Sequence, residues 1–294
     1  MIDSAPGVPH ARPVPAVPGR ARLALARAAV QVIADTLGTR LLHIKGDAVD
    51  PVLRPARRPG SDVDVMVDPE GIPALHRSLL AHGWSVYSTF RFGSSFEHAQ
   101  TYIHPVWGHL DLHRRFPGIS LPDQAAFEHL WRDRTSRDMC GVEIHTPGVD
   151  AQLLILVLNA ARNGGPLPEP WAALDDDGHE RMRRLIALLR AEVAVAALTG
   201  ELDRYRRRRE HLLWKVTVHG GPRIVEWWAR IIAQPTLRGS LRVAAQAPLV
   251  NTDRLTRRLG RHPGVREVIG EFFVRAVRGL REGAALAARK VRRR

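Results

Sequence analysis

Two aspartates, Asp62 and Asp64, stand one residue apart in the segment GSDVDVMVD at positions 60–68. Side chains two residues apart in a strand point to the same side, so both carboxylates share one face. Carboxylates this close repel each other without an intervening positive charge, and we therefore predict that Asn at either position stabilises the metal-free chain. Hard divalent cations such as Mg²⁺ bind carboxylate oxygens and keep positions open for phosphate. A pair of aspartates with this spacing more often forms the polar face of an exposed edge strand. Neighbouring residues are therefore needed to distinguish a metal site from such a strand.

The surrounding residues favour a site for a metal–nucleotide complex. Downstream, the segment HLDLH offers a third carboxylate, Asp111, on a separate strand. A turn at Gly60 and Ser61 leads directly into Asp62. Upstream lie basic side chains that are suited to phosphate: Lys45, Arg54, Arg57 and Arg58.

Hydrophobic periodicity predicts the elements that must position these side chains. Strands are predicted at 40–44, 62–67, 84–90, 101–107, 109–116 and 142–146. Helices are predicted at 21–37, 47–54, 69–83, 151–163, 178–199, 201–218, 222–234 and from 265 to the end. This order predicts a flexible Pro-rich tail over residues 1–20, a mixed α/β (α+β) domain over 21–147 and an all-helical domain over 148–294.

The overall composition indicates which classes of partner and which cellular compartment to expect. A formal charge of +14 favours anionic partners such as nucleotides, nucleic acid or acidic surfaces, although solvated Arg-rich helices explain it equally well. The single cysteine, Cys140, excludes a disulfide within the chain and fits a reducing cytoplasm. No segment has the length and apolar composition of a membrane span, so we expect no membrane association.

The run LLHIKGDAVDPVLRPARRPGSDVDVMVDPEGIPALHRSLLAHGW, followed by GHLDLHRRF, resembles the DNA polymerase β-type nucleotidyltransferase superfamily. It is most similar to a poorly characterised bacterial branch with Lys-Gly in the first turn and an R-x-x-S-D-x-D strand. The resemblance spans roughly residues 25–165 and implies a polymerase β-like core with a mixed sheet. The segment PGVDAQLLILVLNAAR resembles the first helix after that core.

The resemblance also implies roles for individual residues. Asp62 and Asp64 would bind two Mg²⁺ ions, and Asp111 would be the third metal ligand and a candidate base. Four residues would surround the triphosphate of the nucleotide: Lys45, Gly46, Arg58 and Ser61. Much of the superfamily has Gly-Ser where this chain has Lys45 and Gly46, so a lysine point charge would replace a serine contact. His113 would lie near the acceptor as a base, or be a hydrogen-bonded structural histidine.

The implied reaction is transfer of an NMP from an NTP such as ATP to a hydroxyl group, with release of pyrophosphate. Two metal ions ~3.5–4 Å apart can activate the nucleophile and stabilise the leaving oxygen in such reactions. The acceptor would be a small molecule, a peptide or a protein.

Other functions fit parts of the sequence. His104, His109 and His113 with Asp111 are compatible with a metallohydrolase. A non-catalytic antitoxin or regulatory subunit is a second alternative, but it gives no reason to keep three repelling carboxylates. The run RYRRRRE at 204–210 would suit RNA, yet a solvated helix face explains it better. The tryptophans at 214, 227 and 228 are more typical of a core than of an acceptor pocket.

Overall fold

A five-stranded sheet forms the centre of the protein in a computed structural model, which describes residues 17–54, 60–93, 96–246, 249–272 and 274. The strands of these residues are β1 (Leu41–His43), β2 (Asp62–Val67), β3 (Ser85–Ser88), β4 (Ala99–His104), β5 (Gly108–His113), β6 (Thr135–Met139) and β7 (Val142–Thr146). The sheet order is β1-β2-β5-β4-β3, with β2 and β5 parallel and the other pairs antiparallel. β6 and β7 form a separate hairpin. The mixed α/β fold and the helical C-terminal region predicted from the sequence are confirmed.

The helices lie on both faces of this sheet and dominate the second half of the chain. Among the described residues they are α1 (Gly19–Thr36), α2 (Ile72–Ala81), α3 (Phe90–Gly93), α4 (Asp123–Arg132), α5 (Val149–Asn163), α6 (Glu169–Ala172), α7 (Asp176–Leu189), α8 (Glu192–Thr199), α9 (His211–His219), α10 (Arg223–Ile232), α11 (Leu237–Gln246) and α12 (Thr252–Leu259). Residues 265–272 are also helical, and the rest of the helix predicted from 265 lies outside the described residues. None of the described helices is both long and apolar enough to cross a membrane.

Two apolar cores, one on each face of the sheet, hold these layers together. On one face, α1 and α2 pack against the inward side chains of β2 and β5, among them Val65 and Leu110. On the other face, Leu42 and Met66 pack in one cluster with α5 and α8. That second cluster joins residues from both sides of the boundary predicted near residue 147, and the division into two domains stays a prediction.

Several elements differ from the sequence prediction. The segment 178–199 is broken between α7 and α8, where Arg190 adopts a left-handed conformation. In place of one helix over 201–218, a short 3-10 turn (Leu202–Tyr205) precedes α9. The region 47–54 forms two 3-10 turns (Gly46–Ala48 and Pro51–Leu53). The elements that the sequence analysis did not predict are α3, α4, α6, α11, α12 and β6, although α4 buries Ala126, Phe127 and Leu130 at helical spacing.

The Arg-rich run does not form a continuous helix face. Three of its arginines are in ion pairs with nearby acids: Arg204 with Glu201, Arg206 with Asp203, and Arg208 with Glu192. Arg209 donates to two backbone carbonyls. Local acids therefore offset much of this positive charge.

A fully buried histidine predicts an acid-sensitive fold. His43 in β1 is 1% exposed, and neither ring nitrogen has a hydrogen-bond partner among the described residues. Burial, assisted by Arg27 and His145, lowers the pKa of His43 from 6.5 to about 3. The unfolded chain therefore binds a proton that the folded chain does not, and stability should fall as pH drops below 6.5, by about 1.4 kcal/mol per pH unit from this residue.

Urea unfolding of the wild type and of His43→Leu between pH 4 and pH 7 measures this contribution. We expect the variant to show a shallower dependence of unfolding free energy on pH. Parallel pH profiles for the two proteins would contradict the assignment.

Candidate active site

The pairing of β2 with β5 brings carboxylates from distant parts of the chain together. Asp64 lies directly opposite Asp111 in the parallel register, and Asp62 lies opposite His109. Ligand atoms of Asp64, Asp111 and His113 all lie within 4.8 Å of one another. Asp62, at the first position of β2, shares the same face of the sheet but lies outside this group of three.

Asp64 is the most enclosed of the three carboxylates, being 4% exposed. Its Oδ1 atom accepts a hydrogen bond from Lys45 Nζ at 2.5 Å and contacts His113 Nε2 at 2.9 Å. Burial alone would raise the pKa of Asp64, but Lys45 and His113 outweigh burial and hold this pKa well below its ordinary value. Asp64 is therefore ionised at neutral pH and held in a fixed orientation.

The pKa of Asp62 is shifted in the opposite direction to that of Asp64. Burial raises the pKa of Asp62, and the nearby charges of Asp64 and Asp111 raise it further. Its carboxylate accepts a hydrogen bond from Ser61 Oγ at 3.2 Å, and Ser61 itself is exposed. Asp64 is therefore paired with the Lys45 cation, whereas the ionised form of Asp62 is destabilised by the negative charges of Asp64 and Asp111.

The turn after β1 depends on a glycine and on a buried arginine. Gly46 has φ +65°, and a Cβ atom there would lie 2.4 Å from Nη2 of Arg27. Arg27 on α1 is fully buried, and its Nη2 donates to the backbone oxygen of Asp62 at 3.3 Å. One cation thus packs beneath both the Gly46 turn and the start of β2.

Arg27 was missed by the sequence analysis, although a signal was present. It lies on the same helical stripe as Leu23, Val30 and Ala34, all of which are buried. A charged residue within such a stripe indicates a buried contact with a polar group. The partner itself is 35 residues away and was not visible in the local pattern.

The histidines proposed for a metallohydrolase do not gather at one point. His109 packs edge-on against Tyr87, and His104 lies at the end of β4 between Trp84 and Trp107. His113 alone joins the carboxylates. In the described part of the chain, no group of several histidines forms a zinc-type site with them.

His113 lies on the Asp64 side of the site. It is fully buried, and its ring stacks against Phe116 and packs at a tilt of 48° against His98. It is not among the residues that line the neighbouring cavity. Its acceptor-side role stays a prediction, and so does the phosphate contact of Arg58, which lies outside the described residues.

A cavity of about 520 Å³ opens beside Asp111. Its floor is formed by β4 and β5, where Thr101 Oγ1 donates a hydrogen bond of 2.6 Å to Asp111 Oδ1. Its walls come from α5, α9 and α10, and include Arg162, the glycines at 220 and 221, and Glu226. The tryptophans at 214, 227 and 228 do not line it: the first is core, the second stacks on Arg230, and the third is exposed.

One carboxylate connects α10, which contributes to the cavity wall, and the neighbouring α11 to the start of β4. Glu97, which precedes β4, is 7% exposed and has φ +49°. Its side chain lies 3.6 Å from Arg230 on α10 and 3.0 Å from Arg242 on α11. Its sequence neighbours at 96 and 98 line the cavity, so these ion pairs position the wall against the floor.

The donor set fits a hard divalent cation. Carboxylate oxygens from two adjacent strands converge, and the Lys45 ammonium group lies among them as a positive charge in the metal-free protein. The Lys45 ammonium group offsets part of the negative charge of these carboxylates, which a bound metal ion would otherwise neutralise.

The parallel central strands of the mixed sheet carry facing aspartates, and a helical region follows the sheet. Residues 23–167 match the model of a family described as uncharacterised nucleotidyltransferase. The matched residues include Asp62, Asp64 and Asp111, and the description of the family names no acceptor.

Two of the solved structures that match this chain do so with low identity and a low TM-score. The crystal structure of the lincosamide antibiotic adenylyltransferase LnuA, bound to lincomycin, has 17% identity and a TM-score of 0.34, and the match covers 56% of this chain and 96% of that one. The solution structure of the antibiotic-resistance factor ANT(2'')-Ia has 16% identity and a TM-score of 0.39, covering 64% of this chain and 97% of that one. No curated protein matches the sequence.

Proposed function

We propose that the protein is a Mg²⁺-dependent nucleotidyltransferase that moves an NMP from an NTP to a hydroxyl group and releases pyrophosphate. The observation that carries this proposal is the register of β2 and β5, which places Asp64 opposite Asp111 with Asp62 on the same face. A non-catalytic regulatory role is the alternative, and the three carboxylates on one face of the sheet favour catalysis over it. A cytoplasmic location stays a prediction from the single cysteine.

Each of these side chains has a distinct task in the proposed reaction. Asp62, Asp64 and Asp111 would hold two Mg²⁺ ions, which activate the acceptor oxygen and stabilise the leaving oxygen when bound. Lys45 pairs with Asp64 and would supply a positive charge to the triphosphate of a bound nucleotide. Gly46 lets the backbone turn approach the phosphates, since a side chain there would collide with Arg27.

The acceptor site is the cavity beside Asp111. A volume of about 520 Å³ lies within the usual range for small-molecule sites, roughly 300–1,000 Å³. It suits a small molecule, or a single side chain of a peptide or protein, better than a nucleic-acid strand. Because Asp111 lies in its floor, a hydroxyl bound there would face the carboxylate that is expected to take its proton.

A direct test is transfer of the labelled NMP from α-³²P-labelled NTPs to small hydroxyl compounds or to components of a cell extract, with pyrophosphate release measured in parallel. We expect a labelled, NMP-modified product with the wild type and none with Asp62→Asn. Absence of any NMP transfer or pyrophosphate release across the four NTPs, with a folded and Mg²⁺-loaded protein, would contradict the proposal.

Replacement of Lys45 by alanine should reduce the preference for the triphosphate. Its ammonium group supplies a charge-assisted contact to phosphate, so we expect Lys45→Ala to lose about 1–3 kcal/mol of the difference in binding between Mg²⁺–NTP and NMP. Isothermal titration calorimetry measures both affinities, and Lys215→Ala on the exposed side of α9 is a matched control. Equal affinities of the wild type for NTP and NMP would exclude a triphosphate site.

A further inference from the structure

An arginine from the helical region faces the proposed site from the far wall of the cavity. Arg162 lies in the last turn of α5 and lines the same cavity as Asp111. Its Nη1 atom lies 2.6 Å from Nε2 of His98. Its other polar contacts are longer, at 3.5 Å to Asn159 Oδ1 and 3.3 Å to Asn163 Oδ1.

Arg162 retains its positive charge without a direct acidic partner. Within the described residues, no carboxylate lies within 4.0 Å of its guanidinium group. Burial lowers the pKa of Arg162, while the fields of Asp64 and Asp111 counteract this effect. A half-buried cation in such a position is stabilised further when an anion binds in front of it.

His98 orients this cation and does not neutralise it. Arg162 can only donate, so Nε2 of His98 must be unprotonated to accept the bond. Burial lowers the pKa of His98 well below its ordinary value, which keeps the ring neutral. The ring in turn packs against His113, with centroids 5.1 Å apart, and His113 contacts Asp64. The guanidinium group is therefore held in a fixed position relative to the carboxylates.

We propose that Arg162 is a further catalytic residue, which binds the α-phosphoryl group of the nucleotide and stabilises its charge in the transition state. This inference rests on the proposed nucleotidyl transfer. The acceptor oxygen forms a bond to the α-phosphorus while the bond from that phosphorus to the α,β-bridging oxygen breaks. The electron pair leaves with pyrophosphate, and the hydroxyl proton passes to Asp111. Negative charge on the α-phosphoryl oxygens then lies between the metal-binding face and Arg162.

The geometry favours the α-phosphoryl over the leaving group. Asp111, which is expected to face the acceptor, and Arg162 line one cavity, whereas Lys45 contacts Asp64 and does not line it. The reacting phosphorus must lie between the acceptor and the leaving group. Lys45 therefore suits the β- and γ-phosphates, and Arg162 suits the phosphoryl group next to the acceptor.

The first test compares single-turnover release of pyrophosphate by the wild type, Arg162→Gln and Arg162→Lys, with water or an identified acceptor. We expect a loss of at least ~10²-fold for Arg162→Gln, the scale for removing one donor to a developing oxyanion, and a smaller loss for Arg162→Lys. Replacing a non-bridging α-oxygen by sulfur should slow the wild type more than Arg162→Gln for one diastereomer, because the variant has already lost that contact. Equal sulfur effects in both proteins would overturn the proposal.

A binding test separates this inference from the proposed function. If the wild type shows no transfer at all, the proposed function fails, but calorimetry with Mg²⁺ and α,β-methylene-ATP still decides the role of Arg162. We expect Arg162→Gln to bind this analogue about tenfold more weakly and Mg²⁺–pyrophosphate as tightly as the wild type. Unchanged affinity for the analogue, or equal losses for both ligands, would overturn the proposal. Arg181→Gln, which breaks a surface pair with Asp150 on the same helical region, is the matched control.

Discussion

Asp62→Asn and Asp64→Asn are each expected to abolish nucleotidyl transfer while shifting the stability of the metal-free protein in opposite directions. Each change removes a carboxylate from the face that would hold the two Mg²⁺ ions. Asn keeps the shape of the side chain but not the charge that a hard cation requires. We expect transfer to fall by at least ~10²-fold in both variants, since even indirect partners of metal ligands cost 10–100-fold when removed.

The opposite stabilities follow from the opposite pKa shifts. The pKa of Asp64 is depressed, so its ionised form stabilises the fold at neutral pH, and this contribution is lost as pH falls through the folded-state pKa. Asp64→Asn leaves the partly buried Lys45 and the fully buried His113 without a charged partner, and we expect a loss of about 1–3 kcal/mol. The stabilisation by Asn that simple repulsion predicts at both positions is therefore not expected at Asp64.

Replacement of Asp62 should stabilise the protein when no metal is bound, as repulsion among the carboxylates predicts. Its pKa is raised, so at neutral pH its charge is disfavoured by burial and by the two neighbouring aspartates. Asp62→Asn should therefore raise the melting temperature in the presence of EDTA, and Mg²⁺ should stabilise the wild type more than the variant.

Thermal unfolding of both variants with EDTA and with Mg²⁺, beside a transfer assay, checks this pair of expectations. Asp203→Asn is the control, because it removes an exposed carboxylate that pairs with Arg206 in the helical region. Normal turnover by Asp62→Asn would refute the metal assignment. Equal shifts in melting temperature for the two variants would show that Lys45 does not compensate Asp64 selectively.

Asp111→Ala is expected to separate nucleotide binding from chemistry. Asp62 and Asp64 remain in this variant to hold the metal that accompanies the triphosphate. Asp111, by contrast, lies in the floor of the acceptor cavity and is oriented by Thr101. We therefore expect measurable Mg²⁺–NTP affinity and a loss of transfer of at least ~10²-fold, the lower end for a positioned acid–base group.

Thr101→Val provides a graded comparison for this variant. It removes the 2.6 Å hydrogen bond to Asp111 but keeps the carboxylate, so transfer should fall less than in Asp111→Ala. Calorimetry with a non-cleavable NTP analogue and a single-turnover assay measure the two properties. If Asp111→Ala lost nucleotide binding as completely as transfer, Asp111 would be part of the nucleotide site and not of the acceptor side.

Local chemistry predicted the three carboxylates of the proposed site. Alternation along one strand placed Asp62 and Asp64 on a single face. The same alternation in HLDLH placed Asp111 on the face opposite its leucine neighbours. The change from mixed elements to helices after residue 147 predicted the fold class. These features depend on neighbours within a few residues, where side-chain periodicity is fixed by backbone geometry.

Contacts between distant segments were decided only by the tertiary structure. The register that sets Asp64 opposite Asp111 depends on which strands pair, and no local pattern specifies it. No local pattern specifies the position of Arg27 beneath Gly46 or that of Arg162 across the cavity from Asp111. The helices α1 and α5, which carry these arginines, reach the site only after they pack on opposite faces of the sheet. The sequence by itself determined which residue types were available for metal and phosphate chemistry. Packing decided which charges meet, since a charge–charge energy depends on a distance and a burial that exist only in the folded chain.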